Sequence, residues 1–210
     1  MVIGWELMGD NVILIGFMGA GKSSVGRLLA RRLGRCFVET DDMITAREGR
    51  SIPEIFAERG EAHFRALEEE TVRLLALKSG DVIATGGGLP CRDGRPEALR
   101  ALGAVVWLTG DFDALYERAR RAGERPMLAG RGRDEIEALY RAREPYYRRA
   151  DLTVDTTGVG PDQVVAKLLL ALHDRSTPST LSPLGNPSTL SPLGNPSTLS
   201  PLGRGQGEGK

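Results

Sequence analysis

Short apolar runs alternate along this chain with stretches whose apolar residues recur at helical spacing. "NVILIG" is a run that stops at Gly16, and "KSSVGRLLARRLG" after it shows the 3.6-residue repeat of a helix with Gly34 as its stop. "CFVE" predicts a second strand. "MITAREG", "SIPEIFAERG" and "EAHFRALEEETVRLLALKSG" predict helices, each closed by a glycine. "DVIAT" predicts a third strand running into Gly86, Gly87 and Gly88, "AVVWLT" a fourth and "LTVDT" a fifth. Helices are expected around "DFDALYERARR", "RDEIEALYRAREPYYRRA" and "PDQVVAKLLLALHD". Apolar strands separated by helices imply an α/β fold, a parallel sheet covered on both faces. Ligands of such sheets bind beyond the carboxyl ends of the strands, where Gly16, Glu39 and Gly86 fall.

The pattern stops before the chain does. From Pro178 the unit "PSTLSPLGN" recurs three times almost unchanged, and "RGQGEGK" closes the sequence. Two prolines per unit and isolated leucines suit neither helix nor sheet, so residues 176–210 are expected to be a disordered tail behind a folded domain of residues 1–175. The first ten residues lack the basic and apolar segments of an export signal. The longest apolar stretch, "VVAKLLLAL", is broken by Lys167 and falls short of the roughly 20 residues a membrane helix needs. A cytoplasmic protein is expected, with no membrane partner. With 28 basic and 28 acidic residues, bulk charge gives no reason to expect a nucleic-acid binder. Cys36 and Cys91 show no zinc spacing and are expected as reduced thiols.

The chemistry begins with "GFMGAGKSS". Residues Gly16 to Ser23 fit the phosphate-binding pattern G-x-x-x-x-G-K-[ST], placed after a strand and before a helix as its mechanism demands. The glycines let the backbone N–H groups approach phosphates, and the helix presents its positive end to the same anion. Gly19, Ala20, Gly21, Lys22, Ser23 and Ser24 are the candidate ATP contacts, with the Ser23 hydroxyl a candidate Mg²⁺ ligand. No aspartate follows "DVIAT" to assist a metal, so the acidic pair Glu39 and Asp41 is the alternative.

Three arginines need a reason. Arg65 lies in "GEAHFRALE" among residues that look buried, Arg143 in "RAREPYYRR", and Arg125 in the irregular "AGERPMLAGRGR". Together they suggest recognition of a carboxylate and of a phosphoryl group in transfer. Non-catalytic ATP binding and transfer to another small acceptor, such as gluconate or a nucleoside monophosphate, stay as rival readings.

The landmarks "GFMGAGKSSVGRLLA", "FVETDDMI", "GRSIPEIFAERGEAHFRALEEE", "IATGGGLP", "RPMLAGR" and "REPYYRRADLTVDT" together resemble the shikimate kinase family. The resemblance implies a three-layer P-loop kinase fold with a five-stranded parallel sheet in the order 2-3-1-4-5. It implies ATP-dependent, Mg²⁺-assisted phosphorylation of the shikimate 3-hydroxyl by a monomer. Arg65 and Arg143 would hold the shikimate carboxylate, with Glu68 positioning Arg65. Asp41 would orient or deprotonate the hydroxyl, and Gly86, Gly87 and Gly88 would pack against the acceptor. Lys22 and the lid residue Arg125 would act on the transferring group, and Arg118 would lie against adenine. Glu39 stands where the family usually has an aspartate near Mg²⁺, and "TGVG" after "VDT" carries no basic side chain for the nucleotide.

Overall fold

Five short strands, β1 (Asn11–Ile15), β2 (Phe37–Glu39), β3 (Val82–Ala84), β4 (Gly103–Thr109) and β5 (Leu152–Asp155), make one sheet in the order β2-β3-β1-β4-β5. The structure is a computed structural model that describes residues 10–121 and 130–176. The repeat expected as a tail lies outside the described residues. Every strand pair is parallel, with Val12 of the central β1 level with Val82 on one side and Ala104 on the other. All of β1 is buried, as a strand covered on both faces must be.

Seven helices complete the described residues: α1 (Lys22–Leu33), α2 (Thr40–Glu48), α3 (Ile52–Leu75), α4 (Arg95–Arg100), α5 (Phe112–Arg121), α6 (Arg133–Tyr147) and α7 (Pro161–Ser176). They give the sheet its two outer layers, and α1 packs on α7. Gly34 ends α1 in a left-handed turn, donating to the carbonyls of Ala30 and Arg31. The main core joins β1, β3 and β4 to α1, α5 and α7 through Leu14, Leu29, Val106, Leu115 and Leu168. A second, smaller cluster of Ile44, Ile55, Phe64 and Leu67 holds α2 to α3, with Ile52 packed against it.

One feature bears out the sequence expectation and one departs from it. The stretches "SIPEIFAERG" and "EAHFRALEEETVRLL", expected as separate helices, are two helical stretches that meet at a kink within α3. Gly60 breaks the axis with φ 78° and ψ 174°, a conformation that a side chain resists. The short helix α4 is not foreseen at all. Its six residues give no helical period to read, and its start rests on the left-handed Gly94 followed by Pro96.

Candidate active site

The nucleotide loop is built where β1 runs out. Gly19 holds φ 78°, and a Cβ there would meet the backbone of Leu115 on α5, so the loop lies flush against that helix. Gly21, also left-handed, is the N-cap of α1, whose first turn carries no acidic side chain to compete with an anion. Lys22 Nζ donates to the carbonyls of Gly16 at 2.7 Å and Phe17 at 3.1 Å, which folds the ammonium back over the loop. Ala20 is buried beneath it, and Ser24 is exposed on the first turn of α1.

Ser23 Oγ donates to Glu39 Oε1 at 2.5 Å, bringing the hydroxyl of α1 against the carboxylate at the end of β2. Glu39 Oε2 accepts from Arg27 Nη2 at 3.2 Å. Two oxygens meeting beside a phosphate loop suit Mg²⁺, a hard ion that keeps waters and phosphate oxygens as most of its ligands. Glu39 is also the N-cap residue of α2, without a side-chain cap. The acidic start of α2 therefore points its first carboxylate at Ser23.

Two residues on, Asp41 lies over Gly86 at the end of β3. A Cβ at Gly86 would collide with Asp41 Oδ1 and sit 3.2 Å from its Cγ, so the missing side chain makes room for the carboxylate. Gly86 N is fixed by donating to Thr40 Oγ1 at 2.9 Å. Burial raises the Asp41 carboxyl to a pKa of about 6; the Lys22 ammonium pulls it back, while Glu68, Glu39 and Asp42 push it further up. A group so poised holds or releases a proton near neutral pH.

Gly87 and Gly88 carry the floor onward to two arginines. A Cβ built on Gly87 lies 3.5 Å from Arg143 Nη1, and one on Gly88 lies 3.4 Å from both Arg143 Nη2 and Arg65 Nη1. Arg65 comes from α3 and Arg143 from α6, yet their guanidinium groups close on one point. Arg65 is held by Glu68 at 2.8 Å and by Glu61 at 2.8 Å, and the Glu68 side chain is only 3% exposed. Arg143 rests over the Phe17 ring, its Cζ 5.9 Å from the centroid, which ties it to the phosphate loop. An open cavity of about 640 Å³ lies here, lined among others by Glu61, Arg65, Gly88, Cys91 and Arg143.

Tyr147 and Cys91 join the site without a sequence signal. The Tyr147 hydroxyl, fully buried, donates to Gly87 O at 2.6 Å and so fixes the triple glycine from below. Cys91 is a free thiol whose Sγ lies 3.5 Å from the same carbonyl, and burial pushes its pKa up. Cys36 is free and exposed. Arg118 is directed away from the acceptor arginines: it donates to Thr156 Oγ1 and to Thr156 O, both at 3.2 Å, at the end of β5. Arg125 lies outside the described residues. His63 has Glu48 Oε2 3.3 Å from its Nε2, a contact between α3 and α2 that linear spacing conceals.

A phosphate loop after the central strand, facing a cationic pocket built by α3, α6 and the glycines that follow β3, defines a P-loop phosphotransferase of small molecules. The comparisons with known proteins carry the assignment further. A family model described as shikimate kinase matches residues 18–173. The chain is 44% identical over 171 residues to a shikimate kinase of Symbiobacterium thermophilum, covering 79% of this chain and 97% of that protein. It is 46% identical over 166 residues to one of Geobacter metallireducens, covering 79% and 93%. Among solved structures, shikimate kinase from Acinetobacter baumannii in complex with shikimate superimposes with a TM-score of 0.76 at 33% identity, covering 81% of this chain and 96% of that one. A deoxyadenosine kinase from M. mycoides shares the fold alone, at 15% identity and TM-score 0.55. The chain belongs to the shikimate kinase family. Among the described residues no helix is long and apolar enough to cross a membrane.

Proposed function

We propose that this chain transfers the γ-phosphoryl group of ATP to the 3-hydroxyl of shikimate, giving shikimate 3-phosphate and ADP in chorismate and aromatic amino-acid biosynthesis. One observation carries the reading: Arg65 and Arg143 close on Gly88, while Asp41 stands over Gly86 beside the phosphate loop. A carboxylate gripped by the two arginines would hang a small ring across the glycine floor, with a ring hydroxyl reaching Asp41. Gluconate also has a carboxylate, but its open chain has no ring to lie on that floor.

Asp41 orients the 3-hydroxyl and takes its proton as the oxygen attacks the γ-phosphorus. Lys22 leaves the carbonyls of Gly16 and Phe17 to neutralise the phosphate oxygens, helped by the backbone N–H groups from Gly19 to Ser24. Ser23 and Glu39 are the residues that would hold Mg²⁺, which when bound neutralises phosphate charge. Arg118 borders the adenine end and Arg125 acts on the transferring group, as the family resemblance implies. Positioning and charge neutralisation do most of the work in such a transfer. Each of these groups belongs to one chain, in keeping with the monomer that the family resemblance implies.

The test is a coupled ADP-release assay with Mg·ATP, run with shikimate, with gluconate and with no acceptor, beside Arg143→Ala. Shikimate-dependent turnover that collapses in the variant is the expected result. Turnover with gluconate, or ADP release indifferent to any acceptor, would overturn the reading.

A further inference from the structure

We infer that Arg27 sets the metal preference of the nucleotide site by leaving Glu39 only one oxygen to offer. The inference rests on the reading that Ser23 and Glu39 face the metal of a bound nucleotide. Glu39 divides its carboxylate: Oε1 accepts from Ser23 at 2.5 Å, and Oε2 accepts from Arg27 at 3.2 Å. Ser23 and Arg27 are four residues apart on α1 and so share a face of the helix. The division is therefore built by α1 across the end of β2.

Arg27 is braced where it stands. Its Cζ lies 5.1 Å from the centroid of the Phe37 ring, a cation–π contact with a residue two before Glu39 on the same face of β2. Phe37 is itself wedged against Gly26, where a Cβ would fall 3.0 Å from Cδ2 and nearer still to Cε2. Glycine at 26, phenylalanine at 37, arginine at 27 and glutamate at 39 thus form one stack ending at Ser23. An aspartate at position 39 would be a methylene short of this reach, so the device depends on the glutamate this chain carries.

The chemical consequence concerns ion size. Ca²⁺ accepts six to eight oxygens at about 2.3–2.6 Å and is well served by a carboxylate binding through both oxygens, whereas Mg²⁺ at about 2.0–2.1 Å keeps a strict octahedron. With Oε2 engaged by Arg27, Glu39 presents Oε1 alone, which suits the smaller ion and withholds the bidentate clamp from the larger. The Arg27 side chain is 56% exposed, so the pair adds little to folding and its removal leaves the fold intact.

The experiment is isothermal titration of the full chain with ADP in Mg²⁺, in Ca²⁺ and in EDTA, for wild type, R27M, E39D and the double variant. Methionine keeps a long stem over Phe37 and removes the guanidinium. The Mg²⁺-over-Ca²⁺ preference is expected to fall by up to about fivefold in R27M, the most that an exposed ion pair can set, chiefly through tighter binding in Ca²⁺. In the E39D background, R27M is expected to leave the ratio unchanged. A ratio unmoved by R27M in the wild-type background, or moved equally in both, overturns the inference while leaving the proposed reaction standing. ADP binding that ignores metal altogether overturns the placement of Ser23 and Glu39 together with this inference. Failure to bind ADP in any condition overturns the phosphotransferase reading itself.

Discussion

Replacing Asp41 by asparagine removes a carboxylate that the fold holds at a cost. Its pKa rises from 3.8 to about 6, with burial the largest cause, so at neutral pH the folded state carries a charge it disfavours. The sign follows from linkage. Below pH 3.8 folded and unfolded chains both hold the proton, and the residue is neutral to stability. Between the two values the unfolded chain has released the proton while the folded one keeps it, and the penalty grows until pH passes about 6. A shift of about 2 units at 1.36 kcal/mol each amounts to about 3 kcal/mol at pH 8, and roughly half of that remains at pH 5. For a domain of this size each kcal/mol moves Tm by about 2–4 °C, which sets a ceiling of about 6–12 °C. Asp41→Asn is therefore expected to melt several degrees above wild type at pH 8 and within about 1–2 °C of it at pH 3.8, while losing shikimate-dependent ADP release. Calorimetry across that range checks the first part and the coupled assay the second. In the wild-type enzyme, kcat/KM for shikimate should fall as pH drops through about 6. A Tm gain that is the same at every pH, or a loss at pH 8, would refute the assignment of the strain to the buried charge.

Other substitutions test the acceptor pocket. Gly88→Ala puts a methyl 3.4 Å from both Arg65 Nη1 and Arg143 Nη2, at the proposed seat of the carboxylate. It should raise KM for shikimate by about tenfold or more, the order of one displaced charge-assisted contact, with Tm and ADP affinity unchanged. Glu68→Gln leaves Arg65 to Glu61 and removes a charge that lifts the Asp41 pKa. KM for shikimate should rise and the acidic limb of the pH–rate profile should move to lower pH, a shift that simple loosening of the helix would not produce. Tyr147→Phe deletes the 2.6 Å bond to Gly87 O and leaves that half-buried carbonyl to the Cys91 thiol at 3.5 Å, at a cost of about 1 kcal/mol. Both Tm and shikimate affinity should fall, with ADP affinity held.

The parts of the site that were legible in the sequence carry their chemistry in local spacing. Gly16 to Ser23 is a contiguous loop whose function follows from its own backbone, and Arg65 beside Glu68 is one helix turn. The strand-and-helix alternation was legible too, because parallel strands buried on both faces read as plain apolar runs. What stayed hidden lies between residues far apart in the chain. Nothing near Tyr147 says that its hydroxyl ends on Gly87, 60 residues earlier. Arg27 looks like one more exposed basic residue of α1 until Glu39 arrives across β2. The helix α4 was too short to show a period. Gly60 was legible as a break, but whether a break ends a helix or bends it depends on the packing either side, here Ile55 before it and Phe64 after it in one cluster.

That cluster has its own consequence. Asp41 and Arg65 stand on α2 and α3, the helices tied by Ile44, Ile55, Phe64 and Leu67, whereas Lys22 and Arg143 belong to helices anchored in the larger core. Asp41 and Arg65 therefore draw part of their support from a small cluster that Lys22 and Arg143 do not share, while α3 also reaches the larger core through Val72 and Leu75. A chain built this way can retune its grip on the acceptor, by trimming or filling four apolar positions, without disturbing the cradle that receives the nucleotide. Heat, denaturant or inheritance can act on one half before the other. Amide exchange would show it as lower protection across α2 and the Ile55–Leu67 part of α3 than from Val72 onward.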